Sequence, residues 1–147
     1  MPKVTDIVLL ISLFGSHEGN RIEGRTRIQK EVCLLKYKSK LPFTFDFIPY
    51  FFGPYSEELS ETLNTLVGVK LLKETIIPVG FNSFRYDYEL TKQGKDLFNK
   101  LLKDSKEVAN SVIKEAEGFE ALETRDLVSL AKRISGIESV SPVTPMI

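Results

Sequence analysis

Residues 50–94 read YFFGPYSEELSETLNTLVGVKLLKETIIPVGFNSFRYDYELTKQG and predict a helix that leads into a β-hairpin. The helix is indicated by apolar residues at helical spacing, namely Leu59, Leu63 and Leu66. Pro54 suits the first position of this helix, and Gly68 is placed to end it. The sequence therefore predicts a helix over about residues 54–68.

Two β-rich runs follow that helix, at residues 71–79 and 81–90. They hold many β-branched and aromatic side chains and are separated by turn-forming residues, Pro78, Gly80 and Asn82. A hairpin with its tip near residues 79–83 is therefore predicted. Thr91 comes directly after the second run and is a candidate N-cap for a further helix.

Two more helices are predicted before residue 50. In the first, at residues 5–15, Thr5 is the candidate N-cap, and the helix is apolar all round, so it should be covered on more than one side. The second, at residues 26–37, has apolar residues at helical spacing, which are Ile28, Val32 and Leu35. A short extended segment should follow, with alternating aromatic residues Phe43, Phe45 and Phe47.

The C-terminal part of the chain is predicted to be helical. Apolar residues recur at threes, fours and sevens over residues 92–117, which predicts one helix of roughly 25 residues. So small a domain does not cover a helix of that length, and we expect this helix, with the first one, to hold a homodimer together. A short helix is predicted for residues 125–134, and the end of the chain at residues 138–147 is expected to be disordered.

Three helices, a hairpin and a long helix, in this order, form the winged helix-turn-helix arrangement. The predicted fold is therefore α+β and mainly helical, with a two- or three-stranded β-wing and a long C-terminal helix. We predict a winged-helix domain at residues 1–91, a helical extension for dimerisation at residues 92–137, and a disordered tail at residues 138–147.

The composition limits the classes of function. The chain has 147 residues, 42% of them hydrophobic, as in an ordinary globular domain. Its 20 basic and 20 acidic residues cancel, so any attraction to phosphate has to come from a local patch. The lone Cys33 cannot form an internal disulfide, and a cytoplasmic location is expected. The apolar run at residues 7–14 is far shorter than the ~20 residues that span a bilayer, so no membrane partner is expected.

Three short segments carry a resemblance to known proteins: residues 24–30 (GRTRIQK), 52–56 (FGPYS) and 88–94 (YELTKQG). In combination they resemble the landmarks of small archaeal and bacterial winged-helix proteins of the YwgA type. The last segment is also similar to the PadR-like regulators, in which a strand closing on Leu-Thr-x-x-Gly precedes a dimerising helix. The PadR-like resemblance implies a dimeric transcriptional regulator, whereas the YwgA-like group implies no particular activity.

The leading hypothesis is a winged-helix protein that binds double-stranded DNA, as a dimeric transcriptional regulator. Basic residues cluster early in the chain, and a helix N-terminus can hold a phosphate. The residues expected to contact the sugar-phosphate backbone are Arg25, Arg27, Lys30, Tyr55, Ser56 and Arg85. Those expected to face bases are Asn64 and Thr65.

The alternative hypothesis keeps the same fold and assigns it to protein binding. The outer face of the third helix carries three acidic residues, Glu57, Glu58 and Glu61, and that helix has no Lys or Arg. Acidic residues weaken binding to a polyanion, whereas they suit a basic protein partner. The chain would then be an antitoxin-like or adaptor module.

Enzymatic activity is not expected. His17 is the sole histidine and lies in a Gly-containing loop, without a second histidine or a cysteine nearby that could complete a metal site. Cys33 lies within an apolar helix and lacks a basic partner in sequence, so it is not a candidate nucleophile. No phosphate-binding loop or dinucleotide fingerprint occurs. We therefore predict no cofactor and no metal.

Overall fold

A computed structural model describes residues 2–140, which form six α-helices and two antiparallel sheets. The helices are α1 (Val4–Ser16), α2 (Arg25–Tyr37), α3 (Glu57–Gly68), α4 (Lys92–Asp104), α5 (Lys106–Glu115) and α6 (Thr124–Ser135). The strands are β1 (Arg21–Glu23), β2 (Ile48–Tyr50), β3 (Gly53–Tyr55), β4 (Leu72–Gly80) and β5 (Ser83–Leu90). The α+β class predicted from the sequence is confirmed.

The larger sheet has the strand order β1-β5-β4, with β5 in the centre. Strands β4 and β5 form the predicted hairpin, whose turn passes through Phe81 and Asn82. Asn82 has a φ of 55°, a left-handed conformation that asparagine tolerates better than most residues. Strands β2 and β3 form a separate two-stranded sheet, joined by a turn at Phe51 and Phe52.

Helix α1 lies in the middle of the molecule. Its buried apolar side chains are Leu9, Leu10, Ile11, Leu13 and Phe14, and it contacts α4, α5 and the larger sheet. The prediction that this helix is covered on more than one side is confirmed. The predicted N-cap is wrong: the helix begins at Val4, and Asp6 is buried, where its carboxylate accepts hydrogen bonds from the backbone and hydroxyl of Thr44.

The first turn of α3 differs from the prediction. Pro54 is not the first helical residue but lies in β3, directly opposite Pro49 of β2. The helix instead has Ser56 as its N-cap, because the Ser56 hydroxyl accepts a hydrogen bond from the backbone N–H of Leu59 at 3.2 Å. The apolar stripe itself is confirmed, since Leu59, Leu63 and Leu66 are all buried.

The single long helix predicted for residues 92–117 is wrong. The chain leaves helical geometry at Ser105, where φ is −130° and ψ is 45°, and continues as the separate helix α5. Helix α5 folds back onto α1 and buries a row of small and apolar side chains, Ala109, Val112 and Ala116. A straight continuation would leave this row without its contacts to α1, so burial of apolar surface favours the break.

The C-terminal region closes over the second helix. The short helix predicted for residues 125–134 is confirmed as α6, and it packs against α2 and β3 with Leu127 and Ala131 buried. Beyond it, the backbone N–H of Val140 donates a hydrogen bond to the carbonyl of Tyr50. The tail that was predicted to be disordered comprises residues 138–147. Its first three residues belong to this described segment, and residues 141–147 lie outside the described residues.

Candidate functional site

Arg25 lies at the start of α2 and bridges that helix to the hairpin. Its Nε donates to the Tyr88 hydroxyl at 2.7 Å, and its Nη2 lies 3.2 Å from a carboxylate oxygen of Glu74. The guanidinium also stacks over the ring of Tyr86, with 4.1 Å between the guanidinium carbon and the ring centroid. Arg25 is half-exposed, but its charge is already shared with Glu74 and the aromatic rings.

Arg27 is turned inward and holds the C-terminal region. Only 13% of its side chain is exposed, and it donates to the backbone carbonyls of Phe119 and Leu122. It also pairs with the fully buried carboxylate of Glu31 at 3.1 Å. The other oxygen of that carboxylate bonds to the ring of His17 at 2.7 Å. Arg27, Glu31 and His17 therefore form a buried polar cluster that ties α2 to two distant segments.

Lys30 is buried, with 2% of its surface exposed. Its ammonium group donates to the carbonyl oxygen of Pro54 at 2.6 Å. Burial lowers the pKa of Lys30 from 10.5 to about 8, because desolvation disfavours the charged form. This side chain fixes α2 to β3, and its ammonium group is engaged by the protein.

Tyr55 and Ser56 are held by protein contacts on the same side of α2. The ring of Tyr55 stacks on Tyr50 at 4.6 Å between centroids, and its hydroxyl lies 3.0 Å from the Ser60 hydroxyl. Ser56 is fully buried, and its backbone N–H and carbonyl both bond to the side-chain amide of Gln29. Gln29 thus positions the start of α3 from the neighbouring helix.

Arg85 lies on β5 within an ion-pair network. Its guanidinium pairs with the buried carboxylate of Asp87 at 2.8 Å and with Glu23 at 2.7 Å. Arg21 pairs with the same Asp87 carboxylate at 2.8 Å. The hydrogen bonds to Asp87 raise the pKa of the Arg85 guanidinium above its ordinary value. Arg21 also lies 3.8 Å from Glu89, so two arginines face three carboxylates and the network has no net positive charge.

The open face of α3 holds the remaining candidates. Asn64 and Thr65 are exposed, and the Thr65 hydroxyl donates to the carbonyl of Glu61 in its own helix. The same face carries the exposed carboxylates of Glu57, Glu58 and Glu61. No positive side chain occurs anywhere on this helix. The face predicted to approach bases is therefore acidic.

The eight residues predicted to contact DNA do not form one continuous surface. All four basic members donate to protein acceptors, and two of them, Arg27 and Lys30, are inside the molecule. Ser56 is also buried. The three remaining uncharged residues, Tyr55, Asn64 and Thr65, are at least partly exposed to solvent. The structure brings basic side chains together with acidic ones, and sequence spacing alone did not reveal these long-range pairs.

Sequence reasoning missed an exposed apolar groove. A groove of about 820 Å³ lies between the β4–β5 hairpin and the β2–β3 turn, and its floor is the start of α2. Its aromatic walls are Phe51, Phe52, Phe84 and Tyr86. A signal was present in the sequence, because residues 76–84, IIPVGFNSF, contain no charged side chain although they form an exposed hairpin end.

Residues 2–140 thus define an α+β protein of six helices and two small antiparallel sheets, with an acidic helix face and an apolar groove as its open surfaces. No protein-family model matches the chain. The chain is similar to the uncharacterized protein YwgA of Bacillus subtilis, with 35% identity over 77 residues. The alignment covers 52% of this chain and 45% of that relative, so the chain spans under half of the relative's length.

Within residues 2–140, no helix combines the length and the apolar character needed to cross a bilayer.

Proposed function

We propose that this chain is a winged-helix protein-interaction module that binds a basic surface of another protein through the open face of α3. The observation that carries the proposal is the charge of that face: Glu57, Glu58 and Glu61 are exposed, and α3 has no basic residue. The order of α1, β1, α2, α3, the hairpin and α4 supports the winged-helix assignment.

The acidic residues have different structural roles. Glu57 and Glu58 lie in the first turn of α3, where a carboxylate stabilises the positive end of the helix dipole. Glu61 lies one turn later and gains little from that effect, which falls off within the first turn. The helix dipole therefore accounts for Glu57 and Glu58, whereas Glu61 gains little from it and adds a further exposed carboxylate to the face.

The competing prediction is a homodimeric regulator that binds double-stranded DNA. A protein that binds DNA neutralises phosphates with Lys and Arg that are free to release counterions. The basic residues predicted for that role already bond to Glu74, Glu31, Glu23 and Asp87 or to backbone carbonyls. Moving them to phosphates would leave buried carboxylates unpaired, which is costly.

The test uses affinity capture from cells of the source organism. The wild type is compared with a double variant of the open face, Glu57→Lys with Glu61→Lys. A matched control, Glu115→Lys with Glu117→Lys, makes the same change in net charge at exposed positions of and beside α5. We expect the wild type and the control to capture a partner protein that the α3 variant does not capture. The captured partner should dissociate as the salt concentration rises, because salt screens the charges.

Two results would overturn this proposal. One is a partner retained equally by all three proteins at low salt. The other is a combination of three findings. The wild type binds duplex DNA saturably in a filter-binding titration, the α3 variant binds that DNA more tightly, and no captured protein depends on Glu57 and Glu61. The second result would support the DNA-binding prediction.

A further inference from the structure

The outer end of the β4–β5 hairpin is apolar and exposed. Phe81, at the turn, is 95% exposed, and Val79 and Phe84 are each more than half exposed. Ile76 lies opposite Tyr86 in the strand register, so these two side chains share a face with Phe84. This face continues into the groove, where it meets Phe51 and Phe52 of the β2–β3 turn.

One backbone edge beside the groove is also open. Strand β1 pairs with Asp87–Glu89 of β5 and then turns away at Gly24, where φ is 94°. Residues 83–86 of β5 thus extend beyond the part of the sheet that β1 covers. Polar backbone groups of this kind form hydrogen bonds with an added strand.

The apolar area is at or slightly above the upper end of what a monomer usually exposes. A phenylalanine offers on the order of 200 Å², so the exposed fractions of Phe51, Phe52, Phe81 and Phe84 leave about 500 Å² on this surface. Ile76 and Val79 bring the area to roughly 650 Å². The largest apolar patch of a typical monomer is about 300–600 Å², and a stable dimer covers about 800 Å² on each partner.

We propose that a second copy of this chain covers this surface. Two hairpins lie antiparallel across a twofold axis, and each places Phe81 against the Phe51–Phe52 turn of the other copy. A twofold interface brings the same patch of both copies together, so the patch has to be complementary to itself. An apolar hairpin end beside an apolar groove meets that condition, since residues 76–84 carry no charge that would repel their equivalents.

The surface predicted from sequence for dimerisation is less suitable. Helix α1 is enclosed by α4, α5 and the larger sheet. Helix α4 directs its apolar side chains toward the core, and it carries exposed lysines, namely Lys92, Lys95, Lys100 and Lys103. Helix α4 also carries Asp96 and Asp104, so each copy keeps a net positive charge, and apposed copies of α4 repel each other. Residues 76–84 at the end of the hairpin carry no charge and have no such penalty.

Sedimentation velocity over a range of protein concentrations tests the proposal. We expect the wild type to dimerise and Phe81→Ser with Phe84→Ser to raise the dimer dissociation constant at least tenfold. The matched control is Val4→Ser with Val69→Ser, which removes exposed apolar side chains elsewhere and should leave the constant unchanged. All of these side chains are exposed, so a loss of folding, checked by circular dichroism, is not expected.

A cross-linking experiment tests the geometry. One population carries p-benzoylphenylalanine in place of Phe81, the other is labelled with ¹⁵N, and the two are mixed before irradiation. We expect cross-links between labelled and unlabelled chains at residues 51–52 or in the opposing hairpin. Three results would each overturn the proposal. The wild type stays monomeric, both double variants form the dimer as well as the wild type does, or the cross-links are confined to α4. A monomer that instead binds phosphatidylcholine–phosphatidylglycerol vesicles through Phe81 would overturn it as well.

The dimer proposal does not depend on the acidic face of α3. The charge variants at Glu57 and Glu61 leave residues 76–84 unchanged, and the hairpin variants leave α3 unchanged. Loss of the protein partner with an intact dimer, or loss of the dimer with an intact partner, therefore identifies which of the two proposals has failed.

Discussion

The ammonium group of Lys30 donates a hydrogen bond to the carbonyl oxygen of Pro54 at 2.6 Å, at a position almost closed to water. Burial lowers the pKa of Lys30 to about 8, whereas the unfolded chain keeps a value near 10.5. Between these two values the unfolded state binds more protons than the folded state. The contribution of Lys30 to the free energy of unfolding therefore rises with pH across that range.

We expect this rise to disappear in Lys30→Met, which keeps a buried chain of similar length. The measurement is chemical denaturation of both proteins at intervals between pH 7 and 10.5. The stability of the wild type relative to the variant should increase by about 3 kcal/mol over the full range. Comparing the two proteins cancels the opposite trend from Cys33, whose pKa burial raises to about 11. A difference that stays constant with pH would contradict the prediction.

The serine at the start of α3 gives a second prediction. Ser56→Ala removes the hydroxyl that accepts from the Leu59 N–H and should lower the free energy of unfolding by about 1 kcal/mol. Ser111→Ala, at an exposed position of α5, is the control and should change stability by less than about 0.5 kcal/mol. Urea denaturation measures both values. Equal stability of the two variants would show that the cap makes no contribution.

Arg27 provides the third prediction, because it bonds to a segment far away in sequence. Arg27→Ala leaves the carboxylate of Glu31 without its arginine and frees the carbonyls of Phe119 and Leu122. Removing one partner of a buried ion pair typically costs about 3–5 kcal/mol. We expect a loss of this size, together with faster amide exchange in residues 119–122.

Arg125→Ala is the control for that experiment, since Arg125 pairs with Glu123 at the surface. Exposed ion pairs contribute about 0–1 kcal/mol, so this variant should unfold almost like the wild type. If Arg27→Ala behaves like Arg125→Ala, the buried cluster does not stabilise the C-terminal region.

The outcome for these residues shows what sequence patterns can predict. The leucine stripe of α3, the hairpin and the cap at Thr91 depend on residues within a few positions of one another, so their periodicity predicts them. Arg27 has one local partner, Glu31, but its two carbonyl partners lie 92 and 95 residues away, and the carbonyl partner of Lys30 lies 24 residues away. No local pattern encodes such contacts, and the arginine and lysine therefore looked like exposed phosphate ligands.

The break at Ser105 was missed for a related reason. Asp104 and Ser105 interrupt the apolar stripe, but helical periodicity continues on both sides of them, so the sequence pattern still predicts one continuous helix. The angle between the halves depends on α1, which contacts α4 and α5 together. The apolar groove has no local sequence pattern because its walls come from two separate hairpins, at residues 48–55 and 72–90.

Gly94 is the last residue of the Leu-Thr-x-x-Gly motif, and its contacts show why a glycine is needed at this position. Its N–H donates to the Thr91 hydroxyl at 3.0 Å, and a Cβ at this position would lie 2.2 Å from the carbonyl oxygen of Leu71. Because that oxygen belongs to the backbone and accepts from the Thr91 N–H, it cannot move aside freely. Gly94→Ala should therefore lower the free energy of unfolding by about 1–3 kcal/mol, as overpacking does.

Gly68→Ala is the matched control for Gly94→Ala. Gly68 is the last residue of α3, and a Cβ there would meet no atom within 4 Å. Alanine also has the higher helix propensity and restricts the unfolded chain, so this variant should be as stable as the wild type or more stable by about 0.5 kcal/mol. Thermal and urea unfolding of the two variants give the comparison. A Gly94→Ala protein as stable as Gly68→Ala would mean that α4 and the Leu71 carbonyl are not held as closely as the structure places them.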